Sequence, residues 1–244
     1  MPVEIDEKKY LILRTRQIWF AESPYEMDNC DILSFQACRQ SQMTPGFIRY
    51  DQATLTIDLK QPSETIWNGM DRLSHRGIKR AEKEGISVKP SQDYKAFYRL
   101  FNSLRSKKGL PRERLNLSVM KRHTSLFLAE RDGELLGAHA FIEDKDRIRS
   151  FKTGSKRLDA DGKMANLIAC ANRSLIWYVI QYAKEKGLGE FDFGGYYIGN
   201  DKSDPRNSIN VFKKSFGGRL VARYNYTKYN SPLVKWFVSL KSRF

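Results

Sequence analysis

The amino-acid sequence predicts an α+β fold in which helices flank a mixed, mainly antiparallel sheet. Short segments rich in Ile, Leu, Phe, Tyr and Thr, separated by Pro, Gly, Asn and Asp, predict strands. Longer segments with apolar residues at three- and four-residue spacing predict amphipathic helices. An antiparallel meander lies among the helical segments, and this mixture is typical of α+β proteins.

The first sixty residues are rich in β-forming side chains. Three segments there predict strands: YLILRTRQIWF, DILSFQACR and FIRYDQATLTIDL. The pattern becomes helical directly afterwards. We therefore predict a reduced, β-rich N-terminal part over residues 1–60 and a main domain over residues 61–244.

The segment PSETIWNGMDRLSHRGIKRAEKEG predicts one helix that begins with Ser63 as N-cap and ends at Gly85. Its expected apolar face consists of Ile66, Met70, Leu73 and Ile78. Its expected basic flank consists of Arg72, Arg76, Lys79, Arg80 and Lys83. Such a flank either binds an anion or is a solvated helix face.

The elements that follow alternate between strands and helices. ISVKP predicts a strand, and DYKAFYRLFNSLRSKKG predicts a helix. SLFLAERDGELLGAHAFIEDKDRIRSFKTGSK predicts a meander with a turn at Asp132-Gly133. The longest helix is expected from Lys163 to Lys186, closed by Gly187. GEFDFGG and RLVARYNYTKY then predict two further strands.

The composition indicates a folded protein that binds an anion. Of 244 residues, 41% are hydrophobic, which is too many for a disordered chain. No apolar run approaches the roughly 20 residues of a membrane span, and the acidic N-terminus is no signal peptide. We therefore expect a cytoplasmic location. The net charge of +15, concentrated after residue 60, favours a phosphorylated substrate, tRNA or anionic lipid as partner.

Cysteine and histidine do not predict a metal site. Cys30, Cys38 and Cys170 have neither the even number nor the spacing of a disulfide framework or a zinc site. The three histidines are scattered and include no H-x-x-x-H pair. We expect no bound metal.

Four segments taken together resemble the Fem-type peptidyltransferase family of the GNAT acyltransferase superfamily. They are WNGMDRLSHRGIKRAEKEGISV, LFLAERDGELLGAHAF, EFDFGG and VFKKSFGGRLVARY, between about Asp58 and Tyr229. Known members add amino acids from aminoacyl-tRNA to peptidoglycan precursors. The resemblance implies a GNAT-like sheet packed on the long helix, with EFDFGG beside the strand that contains RSFKTG. It also implies a single-domain relative, because the chain is too short for two complete GNAT domains.

The start of the long helix departs from acetyl-CoA-dependent GNAT enzymes. Those enzymes carry R/Q-x-x-G-x-G/A there, and backbone N–H groups bind the pyrophosphate. The corresponding KRLDADGKMAN retains Gly162, but Asp159 and Met164 interrupt the pattern, and Asp159 and Asp161 would repel phosphate. The predicted donor is therefore aminoacyl-tRNA, with acyl-carrier protein and acyl-CoA as alternatives. No cofactor is required, because such donors are already activated.

The resemblance also implies the reacting residues. The Phe-Lys that precedes the family's Phe-Gly-Gly matches Phe212 and Lys213. A fixed ammonium at that place would stabilise the negative oxygen that forms when an amine attacks an acyl ester. The alternative is that Lys213 is one exposed lysine among many and that Phe212 only anchors a strand.

The stretch FDFGGYYIGN supplies the remaining predicted site residues. In GNAT folds this strand splays from its neighbour and leaves a slot where donor and acceptor meet. Gly194 and Gly195 would let the acyl group approach the backbone, and Tyr196 and Tyr197 would line the acceptor side, covered by the loop NDKSDPRNSIN. Asp192 would orient the acceptor or accept its proton, or brace the strand.

Three basic residues of the first predicted helix are also expected to bind substrate: Arg76, Lys79 and Arg80.

These observations predict an acyl- or aminoacyltransferase that forms an amide on an amine of an envelope precursor, either peptidoglycan or polysaccharide. Two alternatives remain open at this point. One is a non-catalytic RNA- or membrane-binding module on the same fold, and the other is an ordinary CoA-dependent N-acetyltransferase.

The C-terminal segment SPLVKWFVSLKSRF predicts an amphipathic helix that begins at Pro232. Its apolar face would hold Leu233, Trp236, Phe237 and Leu240, bordered by Lys235, Lys241 and Arg243. Such a face is typical of a helix at a membrane interface, here the inner face of the membrane. It is also typical of a helix that closes a domain core.

Overall fold

The computed structural model describes residues 2–9, 13–232 and 234–236, and the chain forms two compact units. The first unit comprises the described residues of 1–54 and 221–244, and the second comprises Leu55–Leu220. The last residues thus group with the N-terminal part. Compactness does not test which parts are independent domains, so the division at residue 60 stays a prediction.

The described chain contains ten strands, six α-helices, one 3-10 turn and a helical segment near the C-terminus that is described only in part. The strands are β1 (Val3–Lys9), β2 (Leu13–Trp19), β3 (Ile32–Cys38), β4 (Ile48–Asp58), β5 (Ser87–Ser91), β6 (Ser125–Arg131), β7 (Glu134–Glu143), β8 (Arg147–Ser155), β9 (Glu190–Tyr196) and β10 (Arg219–Tyr229). The helices are α1 (Ser63–Asn68), α2 (Arg72–Lys83), α3 (Tyr94–Lys107), α4 (Leu117–His123), α5 (Gly162–Glu185) and α6 (Arg206–Lys214). The 3-10 turn, Lys156–Asp159, directly precedes α5.

In the first unit, three strand pairings surround a small apolar core. β1 pairs antiparallel with β2, β2 pairs parallel with β3, and β3 pairs antiparallel with β10. Ile18, Leu33, Phe35 and Tyr226 are buried together in this core. The strands predicted in the first sixty residues are therefore confirmed where the structure describes them, and β1 is an additional strand.

In the second unit, the strands follow the order β4-β9-β8-β7-β6-β5. The β5–β6, β6–β7 and β7–β8 pairs are antiparallel, and β8 pairs parallel with β9. Asp132 and Gly133 both have positive φ angles, as a two-residue hairpin turn between β6 and β7 requires. The predicted α+β class, the mixed, mainly antiparallel pairing and the meander are confirmed.

The long helix α5 packs on this sheet, as predicted. Leu167, Ala171 and Leu175 are buried on its inner face. Gly187, with φ +76°, follows the helix end at the predicted place. Burial of this face fixes the position of α5 over β6, β7 and β8.

The predicted helix from Ser63 to Gly85 is two helices, and this corrects the expected apolar face. Gly69 ends α1, and the Asp71 carboxylate then caps α2 by accepting a hydrogen bond from the Ser74 backbone N–H at 2.8 Å. The interruption changes the helical phase, so Leu73 is 57% exposed whereas Ile66, Met70 and Ile78 are buried. The N-cap of α1 is Pro62 and not Ser63.

Two helices have no counterpart in the prediction. α4 is short, and α6 includes the second half of the segment that was expected to be a covering loop. Asp204 stabilises the start of α6, because its carboxylate accepts hydrogen bonds from the Arg206 backbone and side chain. Phe212 and Lys213 therefore lie on a helix and not on the loop or strand that the sequence predicted.

The C-terminal prediction is described only in part. Pro232 and residues 234–236 are helical, Val234 is buried and Trp236 is 58% exposed. The predicted face residues Leu233, Phe237 and Leu240, and the flanking Lys241 and Arg243, lie outside the described residues.

Close packing of α3 on β8 leads to a prediction about stability. A Cβ atom on Gly154 would lie 2.9 Å from the backbone nitrogen of Phe101. Since backbone atoms cannot move aside without shifting α3, Gly154→Ala should lower the free energy of unfolding by about 1–3 kcal/mol. Urea denaturation measures this change. Gly69→Ala is the control, because its Cβ would meet nothing closer than 3.4 Å; equal effects of the two substitutions would contradict the assigned packing.

Candidate functional site

β8 and β9 separate after a short paired stretch. Their register runs from Arg147 opposite Glu190 to Arg149 opposite Asp192, although β8 continues to Ser155 and β9 to Tyr196. The predicted neighbourhood of EFDFGG and RSFKTG is therefore confirmed, together with a gap between the two strands.

The sequence after Asp192 explains why the pairing stops. Gly194 adopts a φ of +75°, a conformation that L side chains rarely adopt. Its N–H donates a hydrogen bond to Oδ1 of Asp192 at 2.7 Å and so turns away from the ladder. A Cβ at this position would lie 3.3 Å from the carbonyl oxygen of Ser150 on β8.

A cavity of about 380 Å³ lies over this gap, between α3, α5 and α6. The sheet contributes His139, Ser150, Thr153 and Phe193 to its lining. The helices contribute larger and more strongly charged side chains: Leu104, Lys108, Asn172, Arg173, Ile176, Phe212 and Lys213. Such an enclosed space with few converging polar groups is typical of a small-molecule site.

Lys213 reaches from α6 to the end of β9. Its Nζ donates hydrogen bonds to the carbonyl oxygens of Gly194, at 3.3 Å, and of Gly195. Burial, which has the largest effect, and the positive charge of Arg149 together lower the pKa of Lys213 to about 8, and the negative charge of Asp192 opposes this shift. Two of the three ammonium N–H bonds thus have backbone acceptors, and no acceptor for the third is found among the described residues.

α6 is held to β9 by side chains on both sides of Lys213. Phe212 packs on Phe216, and Phe216 packs on Phe193 of β9 with ring centroids 5.5 Å apart. Asn210 bonds both backbone groups of Tyr197, accepting from its N–H at 3.1 Å and donating to its carbonyl at 2.7 Å. These contacts fix the lysine relative to the carbonyl groups that it bonds.

Asp192 and Arg149 form a buried ion pair beneath the cavity. Their side chains are 2% and 5% exposed, and Nη1 of the arginine donates to Oδ2 of the carboxylate. The other oxygen of Asp192 accepts the Gly194 N–H. Because both oxygens are engaged and covered, this geometry favours the bracing role among those predicted for Asp192.

His139 is buried in a polar pocket at the cavity wall. Its Nε2 lies 2.7 Å from Oγ of Ser150 and 2.9 Å from Oγ1 of Thr153, and its ring stacks on Phe141. Burial lowers the pKa of His139 to about 3, and the positive charge of Lys213 contributes to the shift. The imidazole is therefore neutral at physiological pH.

The structure brings together only part of the predicted site. Phe212, Lys213, Gly194, Gly195 and Asp192 converge at the gap. The tyrosines do not line the cavity: Tyr197 packs under the guanidinium of Arg206, and Tyr196 lies near Lys214. The basic side chains of α2 are exposed and are not among the lining residues either: Arg76, Lys79 and Arg80.

Sequence reasoning missed three polar residues at this site. His139 and Arg149 lie on β7 and β8, and Arg173 lies on α5. The alternation of GAHAF placed His139 on one face of a strand, but only the three-dimensional fold brings that face to the gap. Among the residues that the structure describes, no group of His, Cys, Asp and Glu could hold a metal ion. No described helix is long and apolar enough to cross a membrane.

The stretch that corresponds to the interrupted CoA signature lies where expected, between β8 and α5. Asp159 ends the 3-10 turn and pairs with Lys107 of α3 at 3.4 Å. Asp161 is the N-cap residue of α5, and Gly162 follows with a φ of +48°. Both carboxylates thus lie at the start of α5.

Comparisons with known proteins show the fold. No family model matches the sequence, and no curated protein matches it. A crystal structure of FemX superposes with a TM-score of 0.68 at 13% identity, covering 96% of this chain and 85% of FemX. L-PGS from Bacillus licheniformis gives a TM-score of 0.56 at 12% identity, covering 97% of this chain and 84% of that protein. The C-terminal domain of a putative lysylphosphatidylglycerol synthetase from Agrobacterium fabrum gives a TM-score of 0.53 at 12% identity, covering 81% of this chain and 68% of that protein. The chain therefore has a fold similar to that of FemX.

Burial of His139 predicts a pH dependence of stability. Its pKa is about 3 in the folded protein against 6.5 in the unfolded chain, so between these values the unfolded state binds more protons. The free energy of unfolding should therefore fall by up to about 1.4 kcal/mol for each pH unit below 6.5. His139→Gln should remove this contribution, measured by urea denaturation from pH 4 to 7. His123→Gln, on α4, is the control; an unchanged slope in His139→Gln would contradict the assignment.

Proposed function

We propose that this protein is an acyltransferase that transfers an acyl or aminoacyl group from an activated ester or thioester to an amine of a cell-envelope precursor. One observation carries the proposal. Lys213 is held by two backbone carbonyl groups where β8 and β9 separate, beside a cavity large enough for a small substrate.

The proposed reaction needs no group beyond these residues and the activated donor. The acceptor nitrogen attacks the acyl carbonyl carbon, a C–N bond forms, and the carbonyl oxygen becomes negative. The remaining N–H of the Lys213 ammonium donates to that oxygen and stabilises the transition state more than the ground state. The C–O or C–S bond then breaks, and the leaving oxygen or sulfur takes the proton that the amine loses.

The structure bears on the roles of the neighbouring groups. With a pKa of about 3, His139 is a weak base, so its contribution is to orient the hydroxyl groups of Ser150 and Thr153. Asp192 is covered and paired with Arg149. Lys213 is thus the group that we assign to transition-state stabilisation, with Phe212 packed beside it.

The proposed substrates follow from charge and from the Fem-type resemblance. The chain carries a net charge of +15, and the basic residues of α2 are exposed. Both features support an anionic partner, either tRNA as carrier of the acyl group or a phosphorylated precursor as acceptor. Two of the similar structures are named for lysylphosphatidylglycerol synthesis, which supports an aminoacyl donor and an acceptor at the membrane.

The two alternative functions, a non-catalytic binding module and an acetyl-CoA-dependent enzyme, would require different features at the site. A binding module without chemistry would not need an ammonium held with a free donor in a cavity. An acetyl-CoA enzyme would need a phosphate site where Asp159 and Asp161 stand. These observations favour acyl transfer from a donor other than acetyl-CoA.

Removal of the Lys213 side chain tests the proposed reaction. Purified protein is supplied with an aminoacyl-tRNA or an acyl thioester and with a peptidoglycan precursor that has a free amine, and the new amide is measured by mass spectrometry. Lys213→Ala should lower the rate on the order of 10²–10³-fold, because the oxyanion loses a fixed donor. Lys214→Ala, on the exposed side of α6, is the matched control.

The pH profile separates catalysis from folding. If the ammonium acts, the rate should fall as pH rises through about 8, where Lys213 loses its proton. Lys213→Arg keeps its charge at higher pH, so any remaining activity should persist above pH 9. Undiminished transfer by Lys213→Ala would exclude this role, and RNA binding without transfer to any amine would favour the binding module.

Substitution of the exposed Trp236 tests whether the protein contacts a membrane. Trp236 and Lys235 are both exposed, whereas Val234 is buried. If Trp236 inserts at the interface, Trp236→Ala should weaken sedimentation with phosphatidylglycerol vesicles by about 10-fold. Met43→Ala, which removes an apolar side chain that is 75% exposed, is the control. Equal binding of both variants and the unchanged protein would end the membrane proposal.

A further inference from the structure

The cavity at the β8–β9 gap is lined by positive charge without compensating acid. Its lining includes four cationic side chains: Lys108, Arg157, Arg173 and Lys213. No described residue in this lining is an aspartate or a glutamate. A cavity with this charge distribution attracts an anion and rejects a cation.

Arg173 is a member of this group that has few hydrogen-bond partners within the protein. Its Nε is buried and has no hydrogen-bond partner among the described residues. Its Nη1 makes one long hydrogen bond, 3.4 Å, to the carbonyl of Ala169 one turn earlier in α5. Burying a charged group without a paired partner is costly, and such groups are therefore usually paired.

Packing on two sides holds the half-buried Arg173 side chain at the cavity. A Cβ on Gly77 would lie 2.6 Å from Cδ of Arg173, so the absence of a side chain on α2 makes room for the arginine. On the other side, its guanidinium carbon lies 5.3 Å from the centre of the Phe212 ring. The guanidinium therefore adjoins the residue next to Lys213.

The nearest carboxylate does not neutralise this arginine by contact. Burial lowers the pKa of Arg173, and the negative charge of Asp71 is the largest effect that opposes this lowering. Oδ1 of Asp71 accepts the Ser74 N–H as the cap of α2, and no ion pair joins Asp71 to Arg173 within 4.0 Å in the described chain. The positive charge at the cavity wall is thus largely uncompensated.

We infer that Arg173 forms an anion-binding subsite, in which its guanidinium binds a carboxylate or phosphate group of the substrate while the reacting carbonyl lies at Lys213. The planar guanidinium fork suits both anions, because each offers two oxygens in one plane. Arg157 and Lys108 are exposed at the same cavity and add positive charge for an approaching anion. The inference rests on the proposed function in that it treats this cavity as the substrate site.

Anion binding can be measured without turnover, so its failure is distinguishable from failure of acyl transfer. Protein labelled with ¹⁵N is titrated with sodium phosphate and, separately, with sodium acetate, at an ionic strength kept constant with sodium chloride. The reporters are the arginine Nε–H signals and the side-chain amide of Asn172, which lines the same cavity. Arg173→Lys identifies the Arg173 signal by its loss.

We expect the Arg173 and Asn172 signals to shift saturably with at least one of the two anions. In Arg173→Lys, binding reported by Asn172 should be about 10–100-fold weaker, because the bond to the ionised fork is lost. Arg122→Lys, on the exposed side of α4, is the matched control and should bind as the unchanged protein does. Arg157→Gln should weaken binding less than Arg173→Lys does.

The titrations with phosphate and with acetate show which anionic group of a substrate Arg173 binds. Saturation by phosphate alone assigns the subsite to a phosphorylated substrate, and saturation by acetate alone assigns it to a carboxylate. Absence of a saturable shift with both anions, or equal affinity of Arg173→Lys and Arg122→Lys, would overturn the inference even if acyl transfer is observed.

Discussion

The site depends on one constraint, the short pairing between β8 and β9. Three residue pairs join the strands, and the ladder ends where Asp192 binds both Arg149 and the backbone of Gly194. Had the ladder continued, backbone N–H and C=O groups would fill the gap, and the carbonyls that bind Lys213 would face a neighbouring strand. Asp192 therefore contributes through backbone geometry, since it ends the pairing and leaves the carbonyl groups of Gly194 and Gly195 placed to accept hydrogen bonds from Lys213 beside a cavity.

Desolvation is the common physical cause behind the unusual groups of the site. The same burial lowers the pKa of Lys213, of His139 and of Arg173, because each would carry its charge away from water. The charge that each group carries at neutral pH depends on its unperturbed pKa. The histidine becomes neutral, the lysine retains its proton near neutral pH, and the arginine stays charged, with no hydrogen-bond partner for its Nε among the described residues. A neutral hydrogen-bonding group and two cations thus share one small volume.

The sequence predicted the fold class and most elements because they depend on local patterns. The three- and four-residue spacing of apolar residues predicted α5, and the Asp132-Gly133 turn predicted the β6–β7 hairpin. Errors arose where a single side chain outweighed the pattern. Asp71 caps a second helix inside a continuous amphipathic pattern, and Asp204 begins α6 within a polar segment that resembles a loop. Each of these residues acts through a short-range hydrogen bond to the backbone, which the spacing of apolar residues does not reveal.

The site was predicted less completely, since its residues come from different elements. The Fem-type motif led to Lys213 and the two glycines, but Arg149, His139 and Arg173 belong to no motif, and only the crossing of β7, β8 and α5 brings them together. The contact between α2 and α5 adds a consequence for sequence variation. Since a side chain at residue 77 would occupy the volume of the Arg173 stem, the two positions are coupled: among related chains, a larger residue at 77 should occur only with a shorter one at 173. Covariation of these two positions would then record, in sequences alone, which relatives retain the arginine at this cavity.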